Sequence, residues 1–358
     1  MAQHIHNFSS GPCILPKEVM QKAAEAVINY NNSGLSIIEM SHRSPEFEDV
    51  MAQSFAIFRE LMNVPDNYDV MFLQGGASLQ FTMIPQNLLP QGAKAGYVNT
   101  GVWATKAMKE AKMYGNPVEL ASSKDANFNF IPKGYEIPSD LTYLHITSNN
   151  TIYGTQYKSF PETTVPLVCD MSSDIMSKVI DVSKFDLIYA GAQKNIGPAG
   201  VVIVITKKGI FGKTGRAIPT MMDYQTHIEN GSMFNTPPCF SIFTSLLTMQ
   251  WVKKMGGVAA IEKLNEQKAK ILYDEIDNNP LFVGTAAKED RSLMNVCFVM
   301  KDASLEKEFL ALAESRGLSG IKGHRSVGGF RASIYNAMPI ASVQALVDAM
   351  RDFAKAKA

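Results

Sequence analysis

Lys194 stands in the segment AGAQKNIGPAG, with an apolar run on each side of it. A lysine between two strands destined for burial is unusual, because desolvating an ammonium is costly. The same desolvation lowers its pKa and suits an amine that must attack a carbonyl. Ala192, Gly197 and Gly200 are small and leave room for a bulky ligand beside it. Taken alone, the segment is equally well explained by a loop lysine that reaches solvent. Asp170 follows the run VPLVC at the carboxyl end of a predicted strand, the edge where open α/β sheets bind ligands. A carboxylate there could keep a pyridine nitrogen protonated and make the ring an electron sink. An ordinary turn or capping Asp explains the position just as simply.

Three further features widen the pattern. Gln74-Gly75-Gly76-Ala77-Ser78 follows the apolar run DVMFL and opens an amphipathic helix. Glycines let the backbone approach a phosphate, and the free N–H groups of a helix start can bind it. Trp103, one of only two tryptophans, follows the strand GYVN and could stack on a flat ring, although a lone Trp is usually core. Thr151 follows the strand TYLHIT and could donate to a phenolic oxygen. Each feature is ambiguous by itself. Together they place a lysine, a carboxylate, a phosphate cradle and a flat aromatic at strand ends of one sheet. That convergence points to pyridoxal 5'-phosphate.

The elements that must position these residues are readable. From Asp69 to Thr206, short apolar runs alternate with helical patterns, as in a mostly parallel sheet covered on both faces. FDLIYAG and VVIVIT are too close for a crossover and should pair antiparallel. Helical patterns return at FSIFTSLLTMQWVKKMGG and IEKLNEQKAKILYDEI, and a smaller α/β unit follows. The chain is therefore expected to divide into residues 1–15, packed on the small domain, a large domain at 16–255 and a small domain at 256–358. Its 34 basic and 34 acidic residues cancel, which argues against a nucleic-acid binder. The cysteines Cys13, Cys169, Cys239 and Cys297 have neither disulfide-like nor metal-like spacing. With no apolar leader and no membrane-length run, a cytoplasmic protein is expected, without a metal. GIFGKTG lacks the loop length of a phosphate-binding nucleotide motif.

The segments HNFSSGP, MSHRSPEF, CDMSSDIMS, YAGAQKNIGPAG, NGSMFNTPP and KGHRSVGGFRASIYNA resemble the phosphoserine aminotransferases, a family of fold-type-I, class V pyridoxal-phosphate enzymes. The similarity runs from about residue 5 to the C-terminus. It implies an α/β fold whose large domain has a mostly parallel seven-stranded sheet flanked by helices, with a smaller α/β C-terminal domain. It implies that Lys194 bonds covalently to the cofactor aldehyde and that Asp170 holds the pyridine nitrogen. Trp103 would stack on the ring and Thr151 would contact its O3′ side, while Ala77, Ser78 and Gln193 would surround the cofactor phosphate. Asn235 and Thr236 would reach that phosphate from the partner subunit of a homodimer. Ser9, His42 and Arg43 would line the substrate pocket, His324 and Arg325 would hold the substrate phosphate across the interface, and Arg331 would clamp the α-carboxylate. Many members have Arg where this chain has Ser78. The implied reaction transfers an amino group between glutamate and 3-phosphohydroxypyruvate. A phosphorylated four-carbon oxo acid of pyridoxine biosynthesis is a second acceptor the resemblance allows. A cysteine-dependent lyase of the same fold needs a mobile loop Cys, which neither Cys297 nor Cys239 offers. A transaminase of alanine or serine with glyoxylate would have no use for the His–Arg cluster.

Overall fold

The computed structural model describes residues 4–325 and 327–357. A two-residue strand, β1 (His6–Asn7), precedes two helices, α1 (Lys17–Asn29) and α2 (Pro45–Met62). The apolar alternation that begins at Asp69 gives no warning of either helix. Yet α2 carries clear end signals. Ser44 Oγ accepts from Phe47 N, Pro45 opens the first turn, and Asn63 closes the helix in the left-handed region.

The alternation then begins with β2 (Tyr68–Leu73), α3 (Gly76–Leu88), β3 (Lys94–Asn99), α4 (Val102–Ala111) and β4 (Asn116–Ser122). It continues through β5 (Leu141–Thr147), a small hairpin of β6 (Asn149–Asn150) and β7 (Thr155–Gln156), β8 (Leu167–Asp170), β9 (Leu187–Gly191) and β10 (Val202–Lys207). Seven of these strands form one sheet in the order β2-β10-β9-β8-β5-β3-β4. β4, β3, β5, β8 and β9 run parallel, whereas β10 is antiparallel to both β9 and β2. The expected antiparallel pairing of the last two apolar runs is therefore present, with Val202 opposite Gly191.

Both faces of the sheet are buried. On β10, Val202 and Val204 join one apolar cluster while Ile203 and Ile205 join the other, the period of two that a pleated strand imposes. α3, α4 and α5 (Tyr224–Glu229) cover the first cluster, and α1, α2 and α6 (Cys239–Lys254) cover the second. Each large aliphatic side chain buried this way contributes about 1.5–3 kcal/mol.

Past Gly256 and Gly257, both at positive φ, α7 (Val258–Asn278) leaves this core. Its first turns still pack there through Val258 and Ile261. Its later turns, through Ala269 and Leu272, enter a further cluster built by β11 (Phe282–Gly284), β12 (Asn295–Met300), α8 (Glu306–Ser315), β13 (Leu318–Ser319), β14 (Phe330–Ser333) and α9 (Ile340–Lys357). β11, β12 and β14 form an antiparallel sheet. The N-terminus belongs to the same cluster, since β1 pairs parallel with β13 and Phe8 is fully buried in it. Among the described residues, no helix is long and apolar enough to cross a membrane.

Candidate active site

The carboxyl ends of β5, β8 and β9 and the amino ends of α3 and α4 enclose one cavity of about 370 Å3. This lies within the range of about 300–1,000 Å3 usual for small-molecule sites. Lys194 reaches it from the tight loop joining β9 to β10. Ala192 N donates to Val201 O at 3.0 Å, and Gly197 N donates to Ala192 O at 2.9 Å. A Cβ at Gly197 would collide with Ser245 Oγ of α6, so the loop needs glycine to pack this closely.

The Lys194 amine donates to Thr151 Oγ1 at 2.8 Å. Part of its side chain faces the cavity, but the charge sits deep in the protein. Burial pushes its pKa down to about 8, against the opposing field of Asp170; Arg331 lowers it further and Asp174 raises it. Asp170 shares the cavity at 5% exposure, and its Oδ1 accepts from Ser172 N at 2.9 Å. Burial raises the Asp170 pKa, while the Ser172 hydrogen bonds and the charge of Lys194 pull it back. Asp174 lies behind, accepting from Gln156 Nε2 at 3.1 Å and from Ser148 Oγ.

At the opposite wall the chain turns through Gly75 and Gly76, with φ of 82° and 60°. A Cβ on Gly75 would strike Leu79, so this turn is reserved for glycine. No side chain caps α3, which leaves the first N–H groups, at Gly76, Ala77 and Ser78, directed at the cavity these residues line. Trp103, in the first turn of α4, lines the same space. Its Nε1 is buried without a partner among the described residues. Gln193 and His324 also line it. Arg331, on β14, enters from the C-terminal cluster and donates to Thr151 O at 3.3 Å and Ser10 Oγ at 2.7 Å.

The structure thus brings together Ala77, Ser78, Trp103, Thr151, Asp170, Gln193, Lys194, His324 and Arg331. His324 does so within its own chain. Six other expected residues stay outside this cavity. Ser9 packs against Gly320, and His42 is half-buried beside an exposed Arg43. Arg325 is exposed next to His324, while Thr236 O accepts from Gln74 Nε2 at 2.8 Å beside Asn235. Several lining residues were given no role from the sequence: Ser10 and Gly11 within HNFSSGP, Ser173 within CDMSSDIMS, and Asn149. For Asn149 and Ser173 a further signal is a run of small polar residues directly after an apolar strand, as in ITSNNT and CDMSSD. The thiols offer no alternative nucleophile. Cys297 is buried within β12, and Cys13, pushed up to about 12 by burial, donates to Lys194 O. No group of three metal-ligating side chains occurs among the described residues.

Comparison with known proteins bears directly on this arrangement. The model of the class-V aminotransferase family matches residues 5–346. The phosphoserine aminotransferase of Flavobacterium psychrophilum is 57% identical over 348 residues, covering 97% of this chain and 98% of that protein. The solved phosphoserine aminotransferase of Bacillus circulans subsp. alkalophilus superposes with a TM-score of 0.97 at 44% identity, covering 99% of both chains. A PLP-bound phosphoserine aminotransferase from Trichomonas vaginalis gives a TM-score of 0.92 at 37% identity, over 97% of this chain and 100% of that one. The chain belongs to the class-V aminotransferases, within the phosphoserine aminotransferase family.

Proposed function

We propose that this chain transfers the amino group of glutamate to 3-phosphohydroxypyruvate, giving O-phospho-L-serine and 2-oxoglutarate, with pyridoxal 5'-phosphate as cofactor. The observation that carries the reading is a buried amine and a buried carboxylate, Lys194 and Asp170, sharing one cavity with the uncapped start of α3. A flat, singly phosphorylated pyridine aldehyde suits that donor set. The N–H groups of Gly76, Ala77 and Ser78, with Gln193, would hold the phosphate. Asp170 would hold the ring nitrogen, Trp103 the ring face, Thr151 the phenolic oxygen, and Lys194 the aldehyde.

When bound, the cofactor supplies a ring that accepts the electrons released at the amino acid's Cα. The protein supplies the rest. Lys194 Nζ takes the proton from Cα of the amino donor, a task suited to an amine whose pKa lies near 8. Asp170, screened from water, would keep a proton on the pyridine nitrogen. Arg331 is positioned to fork onto the α-carboxylate, its guanidinium steadied by Thr151 O and Ser10 Oγ. His324 would serve the phosphoryl group.

A homodimer extends this reading. Met20, Ile28, Leu35 and Ile38 are large apolar side chains left exposed on and just after α1. His42, Arg43, Asn235 and Thr236 lie outside their own cavity and are free to serve that of a second copy. Ser9 and Arg325 would complete the substrate's surroundings. Sedimentation should give a dimer of the 39.3 kDa chain. The two clusters on the faces of the large sheet and the further C-terminal cluster support a large domain at 16–255, a small domain at 256–358 and a segment 1–15 packed on the latter. Four free thiols suit a cytoplasmic setting.

A coupled assay with glutamate and 3-phosphohydroxypyruvate, run beside the unphosphorylated acid, tests the function. Turnover should favour the phosphorylated acid by at least about 10²-fold, as expected when a built anion site goes unfilled. Equal turnover of both acids would overturn the reading.

A further inference from the structure

Within one chain, the cavity wall carries little positive charge for a substrate with both a carboxylate and a phosphoryl group, and Arg43 of a second copy is the addition proposed so far. Arg331 is the one arginine lining that wall. Lys194 belongs to the chemistry. His324 is held below its ordinary pKa, by burial first and then by Arg331, Arg325 and Lys106. It therefore offers a neutral ring near pH 7 rather than a full charge. Ser78, on the adjoining wall, is uncharged.

The last of those neighbours has no other assignment. Lys106 lies three residues after Trp103, on the same face of α4, and its Nζ sits 4.8 Å from the centroid of the Trp103 ring. It is exposed, and among the described residues no carboxylate pairs with it. Its place beside the cavity follows from Trp103, whose ring it rests on and which lines the wall, and its charge adds a little to the lowering at His324. α3, which carries Ser78, packs directly against α4. A flexible ammonium resting on an indole face can swing toward an arriving anion at little cost, since a cation–π contact at an exposed site is weak.

We propose that Lys106 is a specificity-determining residue that binds the phosphoryl group of the oxo-acid substrate at the cavity mouth, beside His324. The inference rests on the function proposed above. Lys106 supplies a point charge with rotatable donors, which suits a phosphoryl group; the planar fork of Arg331 suits the carboxylate. Acceptor selectivity is thereby divided between two elements: β14 reads the end common to all amino and oxo acids, and α4 reads the distal anion.

The test uses the cofactor-loaded enzyme and the substitutions Lys106→Gln and Lys106→Arg. In K106Q, KM for 3-phosphohydroxypyruvate should rise by about tenfold, as for loss of one charge-assisted contact. Its kcat and the KM for glutamate should stay within about twofold, and K106R should restore most of the loss. Calorimetric titration should show the same selective weakening for O-phospho-L-serine and none for glutamate. If Lys106 merely steadies Trp103, K106Q would instead release cofactor and raise both KM values together, and the proposal fails. It also fails if wild type prefers the phosphorylated acid and K106Q keeps the wild-type KM for it. A wild-type enzyme indifferent to the phosphoryl group would overturn the functional reading and this inference together.

Discussion

Lys268 and Lys194 both hold their amines deep in the protein, and they have opposite fates. Lys268, on α7, is 1% exposed beside the C-terminal cluster. Its amine donates to Ile334 O at 3.0 Å and Tyr335 O at 2.6 Å. Burial pushes its pKa down to about 7, lower than that of Lys194. By desolvation alone, Lys268 would be the better nucleophile. What it lacks is space and company. Its donors end on main-chain carbonyls and no carboxylate faces it, whereas Lys194 meets a hydroxyl, two buried acids and an open cavity. A depressed lysine pKa therefore marks burial, and only the room around the amine marks chemistry.

The comparison can be broken most directly by substitution. Lys194→Ala should lower turnover by at least about 10³-fold, the scale of a missing general base and covalent anchor, with melting temperature little changed. Lys268→Met should do the reverse. It leaves two buried carbonyls without their donor and should cost about 2–4 kcal/mol in denaturant unfolding, with kcat within about tenfold. If K268M instead lost turnover at full stability, the division of labour drawn here would be wrong.

Proton linkage gives a smaller, sharper reading. The folded state holds Lys268 neutral down to about pH 7, while the unfolded chain protonates it below its ordinary value of 10.5. Stability should therefore fall as pH is lowered from about 10 to 7, by up to about 1.4 kcal/mol per unit from this residue. K268M should flatten that slope, and an unchanged slope would show that Lys268 is charged when folded. For Lys194 the readout is reconstitution of the cofactor-free protein with pyridoxal phosphate. Its rate should climb with pH and level off near 8, not above 10. Asp170→Asn should move that midpoint down, because the Asp170 field favours the charged amine.

The contrast also explains what the amino-acid sequence discloses. Lys194 is conspicuous because it interrupts apolar strands. Lys268 hides in IEKLNEQKAKIL among lysines that do face water. Its position on the stripe Ile261, Asn265, Lys268 and Leu272 was the available signal, at helical spacing. The alternation of apolar runs gave the sheet's class and its antiparallel strand, because strand length and loop length constrain pairing locally. The strand order could not be read, since it depends on contacts between distant segments. β4, whose burial pattern is mostly exposed or half-exposed, has too little apolar character to register as a strand at all. Within the site, motif residues were legible where a function demands a particular type. The roles of Ser10, Asn149 and Ser173 were not, even inside recognisable segments, because small polar residues fill turns everywhere.

The strap formed by the first residues has a practical consequence. Cys13 N donates to Gln193 O and its thiol to Lys194 O, while Ser10 receives both Arg331 and the Tyr335 hydroxyl, the latter at its main-chain oxygen. Residues 8–13 thus run from the C-terminal cluster to the loop that bears Lys194. Removing these residues, or placing a bulky group close to them, alters the wall of the cavity that holds Lys194. Loss of activity after such handling would report on the tether, not on the fold.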